Sequence, residues 1–399
     1  MRSPRPVVSA QRGWLTVGGR QRSFIAVRGP HSLTQLTPLV LVLHGTLQTG
    51  RSIRAFAGFT FDRYAADGKA VVVYPDALHR DWNGARNAVM GSKKTKSVDD
   101  VGFIRALIAH MVASGADAQR VYVIGFSLGG QMAIRLIHEV PELLAGAAII
   151  GSTQPTPGNL NVDHDAHGRL PVVTMHGTAD PLAPFDGGPV SIHGHLPRGQ
   201  HFSAPATAAY FAERNGISTE PTATRLPNPR DFGTPGRVTR YDYSADGAAL
   251  VRFYAIEGGG HVIPNPYRHP PRWFMGASTG DLVAADVIGE FFSLSSCSSP
   301  CRNSTTPSAT SRPPVGEGGC DESLVKEPHS AKSRAAQQIS DLIGDLRASL
   351  SRFTRMAPTG GPARAQQTPR RPWPSQSLRP RHATRKFLAP AEFRPGCLR

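Results

Sequence analysis

The sequence predicts an α/β fold, a mostly parallel, twisted sheet with helices on both faces. Two observations carry that expectation. Between Trp14 and Phe292 short apolar runs alternate with helix-like stretches. The runs LVLVLHG, AVVVYPD, RVYVIGF, AGAAIIG and PVVTMHG are apolar at successive positions, which suits strands buried on both faces. A chain of 399 residues, 39% of them hydrophobic, has material for a core well above the marginal size. No apolar run reaches the roughly 18 residues a membrane-spanning helix needs.

Taken in order, WLTV and SFIAV flank Gly18-Gly19 and predict a hairpin. VGFIRALIAHMVASG and GGQMAIRLIHEV predict helices, the second stopped by Pro141. SAPATAAYFAERNG predicts a third, capped by Ser203 and closed at Gly216. RVTRYDY and ALVRFYAI predict an antiparallel pair, and DLVAADVIGEFF a final helix. Three parts follow: a short segment 1–12, a catalytic domain over 13–292, and a low-complexity basic tail over 293–399 that is expected to be disordered. Within the tail only 335–353 carries a helical apolar face, with Ile339, Leu342, Ile343, Leu346, Leu350 and Phe353.

The charge divides along the same boundary. Of the net +16, the residues from Ser295 on hold +10 (17 Lys+Arg against 7 Asp+Glu), which leaves +6 for the first 294 residues. That remainder is ordinary for a soluble domain and argues against nucleic acid as the partner of the large domain. All four cysteines, Cys297, Cys301, Cys320 and Cys397, lie in the tail, so the domain must be held by packing rather than disulfides. The opening MRSPRPVVSAQRGW is basic with only a two-residue apolar patch, which predicts no secretory signal at this start.

The chemistry concentrates in RVYVIGFSLGGQM, with Gly-x-Ser-x-Gly at Gly125, Ser127 and Gly129. A strand precedes it and a helix follows, the setting of a sharp turn that projects a nucleophilic serine from the sheet. A second copy at Gly276, Ser278 and Gly280 precedes the last helix. There Ser278 with Asp281 reads as a helix cap.

A serine hydroxyl needs a base, and the base an acid to orient it. Each should follow a strand, in the order acid then histidine. PVVTMHGTADP supplies Asp180 and FYAIEGGGHVIP supplies His261. The competing acids Asp163, Asp165 and Asp186, and the competing bases His193 and His269, follow strands less directly. The oxyanion donors expected are the amide of Leu128 and that of Thr46, with Leu47 as the alternative. His44 reads as a loop brace. Asp99 and Asp100 read as caps of the helix near Val101. Trp82, Asn83 and Arg86 lie in a loop at a strand's carboxyl end, where sites are lined. Trp82 has two readings there: substrate stacking, or pinning its own loop.

The ordered run HGTLQ, YPDALHRDWNGAR, VDDVGF, RVYVIGFSLGGQM, HGTADPLAPFDGG and GGGHVIPNP resembles poly(3-hydroxybutyrate) depolymerase-like esterases, α/β-hydrolases related to feruloyl and acetylxylan esterases. The resemblance covers roughly 13–292. It implies an α/β-hydrolase fold, metal-free and cofactor-free ester hydrolysis through an acyl-enzyme, and a triad of Ser127, Asp180 and His261. The sequence departs from the family at Leu128, where Asn is frequent, and at Ile263, where Trp is usual. The family resemblance implies an extracellular or periplasmic enzyme, while the missing signal leaves two readings: a cytoplasmic protein, or a true start upstream. The acyl group stays open between hydroxybutyryl, feruloyl, acetyl and a simple fatty chain.

Other readings compete. NVDHDAHG brings His164 and His167 beside two aspartates without a recognisable zinc spacing. The Arg- and Pro-rich tail would suit nucleic acid or an acidic surface. A non-catalytic α/β-hydrolase that only binds ligands is the remaining alternative.

Overall fold

The computed structural model describes residues 6–30, 36–87, 97–191, 198–228 and 231–294. The expected tail beyond Leu294, its apolar stretch at 335–353, and His193 lie outside the described residues. The strands are β1 (Ser9–Val17), β2 (Arg20–Arg28), β3 (Thr37–Leu43), β4 (Val71–Pro75), β5 (Ala116–Phe126), β6 (Gly146–Ile150), β7 (Val172–Gly177), β8 (Gly188–Pro189), β9 (Gln200–His201), β10 (Thr222–Asn228), β11 (Asp231–Tyr243) and β12 (Val251–Ile256). The helices are α1 (Gly50–Phe56), α2 (Asp62–Ala66), α3 (Asp100–Ala113), α4 (Leu128–Glu139), α5 (Ala204–Arg214), α6 (Arg272–Met275) and α7 (Ala284–Phe291).

Ten strands form one sheet in the order β1-β2-β4-β3-β5-β6-β7-β12-β11-β10. β4, β3, β5, β6, β7 and β12 are parallel, and these include the five runs expected as buried strands. Antiparallel strands complete both margins: the predicted β1–β2 hairpin on one side, and β11 with β10 on the other. β8 and β9 pair separately, each too short to leave a pattern in the sequence.

Alternation along the strands sorts their side chains onto two faces. Leu39, Leu41 and Leu43 pack with Phe103 and Leu107 of α3, Met132 and Leu136 of α4, and Phe211 of α5. Val40 and Val42 pack with Ile53 of α1, Tyr64 of α2 and Ile288 of α7. Helices therefore cover both faces, and the parallel strands are dry on each.

The caps follow local chemistry. Asp99 accepts from the Gly102 amide at the start of α3, and Ser203 accepts from the Ala206 amide at the start of α5. Asp100 is not a cap. It is buried, pairs with Arg22 at 2.6 Å and accepts the Asn83 amide at 2.7 Å, while Arg22 lies over the Phe103 ring. This strut ties β2, α3 and the loop after β4 together. Ser278 is not a cap either. α7 begins at Ala284 after Val283, so Ser278 sits in the preceding loop, where its buried hydroxyl has no hydrogen-bond partner.

The packed structure runs past 13–292 at both ends. β1 starts at Ser9, and Leu294 is buried in the same core as Phe292, which stacks on Tyr122. β10 left no sequence signal because it is an edge strand without an apolar side. It pairs regularly over Thr222–Arg225 and then loses register twice around Pro227.

Candidate active site

Three parallel strands end at one cleft of about 660 Å³, and each delivers one predicted residue there or beside it. β5 stops at Phe126 and α4 starts at Leu128, which leaves Ser127 alone to reverse the chain, at φ 54° and ψ −116°. A non-glycine residue rarely holds such a conformation unless its surroundings impose it. Here glycines impose it. A Cβ on Gly125 would stand 2.1 Å from the Gly129 oxygen, and one on Gly129 would stand 2.2 Å from the Leu43 oxygen. The motif thus lets strand, turn and helix touch backbone to backbone, with β3 against the first turn of α4. The Ser127 amide donates to the Ile150 oxygen at 2.9 Å, tying the turn to β6.

Asp180 follows β7 and His261 follows β12, neighbouring strands in the sheet. Their loops approach until a Cβ on Gly177 would meet the Gly259 oxygen at 2.2 Å. His261 Nδ1 lies 2.7 Å from Asp180 Oδ2. The other carboxylate oxygen of Asp180 accepts the amides of Leu182 and Ala183, each at 2.8 Å. Burial would raise the Asp180 carboxyl, but the neighbouring His261 and these amides outweigh it and hold the group below the usual carboxylate range. The His261 ring packs on Phe126, and its amide donates to the Met275 oxygen at 2.6 Å, so α6 braces the histidine loop. Ser127 and His261 both line the cleft.

The expected oxyanion donors can be separated by their existing bonds. Leu47 already donates its amide to the Arg80 oxygen at 2.9 Å, whereas Thr46 lines the cleft beside Gly45 and Ser127. Leu128 is the first residue of α4, where helix amides point out of the helix end. His44 is a brace: Nδ1 donates to the Gly45 oxygen at 2.8 Å and Nε2 accepts the Ala77 amide at 3.0 Å. Burial depresses its pKa to about 4, so the ring is neutral in this role.

Trp82 does not line the cleft, contrary to the stacking reading. It is fully buried, packs on His44 and donates its indole N–H to the His44 oxygen at 3.0 Å, which pins its own loop. Two of the competing acids serve elsewhere: Asp163 pairs with Arg135, and Asp165 pairs with His138 and Arg214. His269 lines the cleft. Among the described residues no three His, Cys, Asp or Glu side chains gather as a metal-ligand set, and no helix is long and apolar enough to cross a membrane.

Several cleft residues left no signal in the sequence. Gln131 donates to Ser152 Oγ at 2.6 Å and to the Thr153 oxygen at 2.8 Å. His201 Nδ1 lies 3.0 Å from the same Thr153 oxygen. Arg198 joins them from a separate segment. No motif marks these positions, because tertiary contacts alone assemble them.

The chain is similar to known esterases. Residues 88–191 match the model of the Phospholipase/Carboxylesterase family. The Nocardia uniformis subsp. tsuyamanensis protein NocK, named as an esterase, is 29% identical over 292 residues, spanning 69% of this chain and 80% of that protein. A Piromyces equi feruloyl esterase B is 25% identical over 247 residues, 60% of this chain and 42% of that protein. A Paucimonas lemoignei poly(3-hydroxyalkanoate) depolymerase C is 26% identical over 251 residues, 59% of this chain and 57% of that protein.

Proposed function

We propose that the chain is a carboxylic ester hydrolase of the α/β-hydrolase fold, similar to feruloyl esterases and poly(3-hydroxyalkanoate) depolymerases, and that it works through a Ser127–His261–Asp180 triad. The observation that carries this reading is the 2.7 Å bond between His261 and buried Asp180, set beside a serine held in a strained turn at the same cleft.

In the first step Ser127 Oγ bonds to the ester carbonyl carbon while His261 Nε2 takes its proton. The carbonyl electrons move onto the oxygen, which the amides of Leu128 and Thr46 hold. Asp180 keeps Nδ1–H in place and stabilises the imidazolium. Collapse of the intermediate breaks the ester C–O bond, and His261 returns the proton to the leaving alkoxide. Water then repeats the sequence on the acyl-enzyme, with His261 as base, and releases the acid.

Two relatives carry feruloyl esters and poly(3-hydroxyalkanoates) in their names. A hydroxyalkanoyl- or feruloyl-sized acid suits a mostly apolar cleft of about 660 Å³ that includes Phe56, Phe126 and Phe274. The decisive experiment is labelling with a fluorophosphonate, followed by mass spectrometry. The adduct should sit on Ser127, and Ser127→Ala should lose both the adduct and turnover of 4-nitrophenyl butyrate. An adduct at another serine would refute the assignment.

A further inference from the structure

One wall of the cleft holds more positive charge than its own carboxylates balance. Arg86, from the loop after β4, and Arg198, from the segment before β9, both line the cleft and are 6% and 3% exposed. The carboxylate acting on both of them is Asp81. Arg86 Nε has no hydrogen-bond partner. Beside them, buried His201 has no partner at Nε2, and Gln131 has none at Oε1.

The wall is built, not incidental. The Arg86 backbone bridges to Leu160, and Asn87 donates its amide to the Asn159 oxygen at 2.8 Å. The Asn159 side chain in turn donates to the Arg198 oxygen at 3.1 Å, and the Arg198 amide donates to the Val190 oxygen at 2.7 Å. The same wall reaches the nucleophile. His201 and Gln131 share the Thr153 oxygen, and Gln131 lies in the first turn of α4 after Ser127.

Two guanidiniums buried with one carboxylate leave a positive charge out of water, an arrangement that is unfavourable unless an anion meets it. A guanidinium fork matches a planar carboxylate in geometry as well as charge. We propose that Arg86 and Arg198 form an anion subsite of the cleft that binds a carboxylate carried by the substrate away from its scissile ester. The favoured substrates are then acidic esters, such as half-esters of dicarboxylic acids. This inference rests on the triad reading for the position of the ester, and it narrows the substrate class of that site.

The test compares mono-4-nitrophenyl glutarate with 4-nitrophenyl pentanoate on the full-length protein. A charge-assisted contact predicts a kcat/KM for the glutarate higher by roughly 10-fold or more, chiefly through KM. Arg86→Met should bring that ratio close to one. Free glutarate should raise the melting temperature of the wild type and leave that of Arg86→Met unmoved, a readout that needs no turnover. Equal use of both esters by the wild type, with no thermal shift from glutarate, overturns the subsite while leaving the triad intact. Loss of turnover on both esters with the glutarate shift retained points to failure of the triad reading alone. If Arg86→Met does not fold, the wild-type ratio and shift decide. A shift from inorganic phosphate and none from glutarate overturns the carboxylate assignment.

Discussion

His261 borders the same cleft as Arg86 and Arg198, with Asp180 behind it, and all four are buried, yet the two pairs are completed differently. At the first pair both carboxylate oxygens have partners. One Asp180 oxygen meets His261, the other meets two amides, and the carboxyl stays ionised despite burial. At the second pair one carboxylate serves two cations, and polar atoms of Arg86, His201 and Gln131 face no partner. Burial alone therefore does not distinguish structural from ligand-directed charge. The balance of partners does: a closed set orients a group, and an open set selects what enters.

The largest effects should come from breaking the closed set. Ser127→Ala should lower kcat for a neutral ester by roughly 10⁴- to 10⁶-fold, and Asp180→Asn by about 10⁴-fold through the wrong imidazole tautomer. Both variants should keep the wild-type circular dichroism spectrum. Activity within 10-fold of wild type in either variant would remove that residue from the triad.

Next in size are stability effects that set a complete buried pair against the incomplete one. Arg22→Met leaves Asp100 buried and unpaired, and should cost about 3–5 kcal/mol in urea unfolding. Arg86→Met removes a surplus cation, and should leave stability unchanged or raise it. Equal destabilisation by the two substitutions would make Arg86 a structural strut like Arg22.

A smaller effect concerns pH. His44 and His201 are buried neutral, each with its pKa depressed to about 4, mainly by burial. Between that value and the unfolded value near ~6.5 the unfolded chain binds the extra protons, so stability is complete above the window and falls as pH drops through it. The slope should be at most about 1.4 kcal/mol per pH unit for each ring. Buried His138 and His176, whose pKa values burial also lowers, add to the same trend. Melting temperatures from pH 7.5 to 4.5 should therefore decline, and His44→Asn should flatten the decline in part. Asp180 acts lower on the scale. Its depressed pKa stabilises the fold above the usual carboxylate range, and that contribution disappears as pH falls through the folded value.

The smallest effect is expected at Ser278, whose hydroxyl is buried without a partner. Ser278→Ala should leave kcat/KM unchanged and the melting temperature equal or slightly higher. A large loss of activity would mean that the second Gly-x-Ser-x-Gly was wrongly set aside.

What could be read in the sequence follows from how local each constraint is. The five buried strands and the Ser127 turn were legible because apolar continuity and glycine spacing are written in adjacent residues. Asp180 and His261 were legible as residues placed just past strand ends. The Arg86–Arg198 wall was not, since Asn159 joins two segments far apart in the chain and no local pattern records that bond. Asp100 was misread as a cap because its neighbour Asp99 is one, and only the packed position of Arg22 separates the two. Trp82 had two open readings until burial selected one.

The irregular outer strand bears on how the molecule behaves in crowded solution. A long sheet with an open margin is a template on which another chain can grow. β10 closes that route: after Thr222–Arg225 its pairing slips at Pro227, which has no amide hydrogen to give, and slips again before Asn228. An incoming strand would find one short stretch of regular ladder and then a break, so this margin resists strand addition and the fibrous aggregation that strand addition starts.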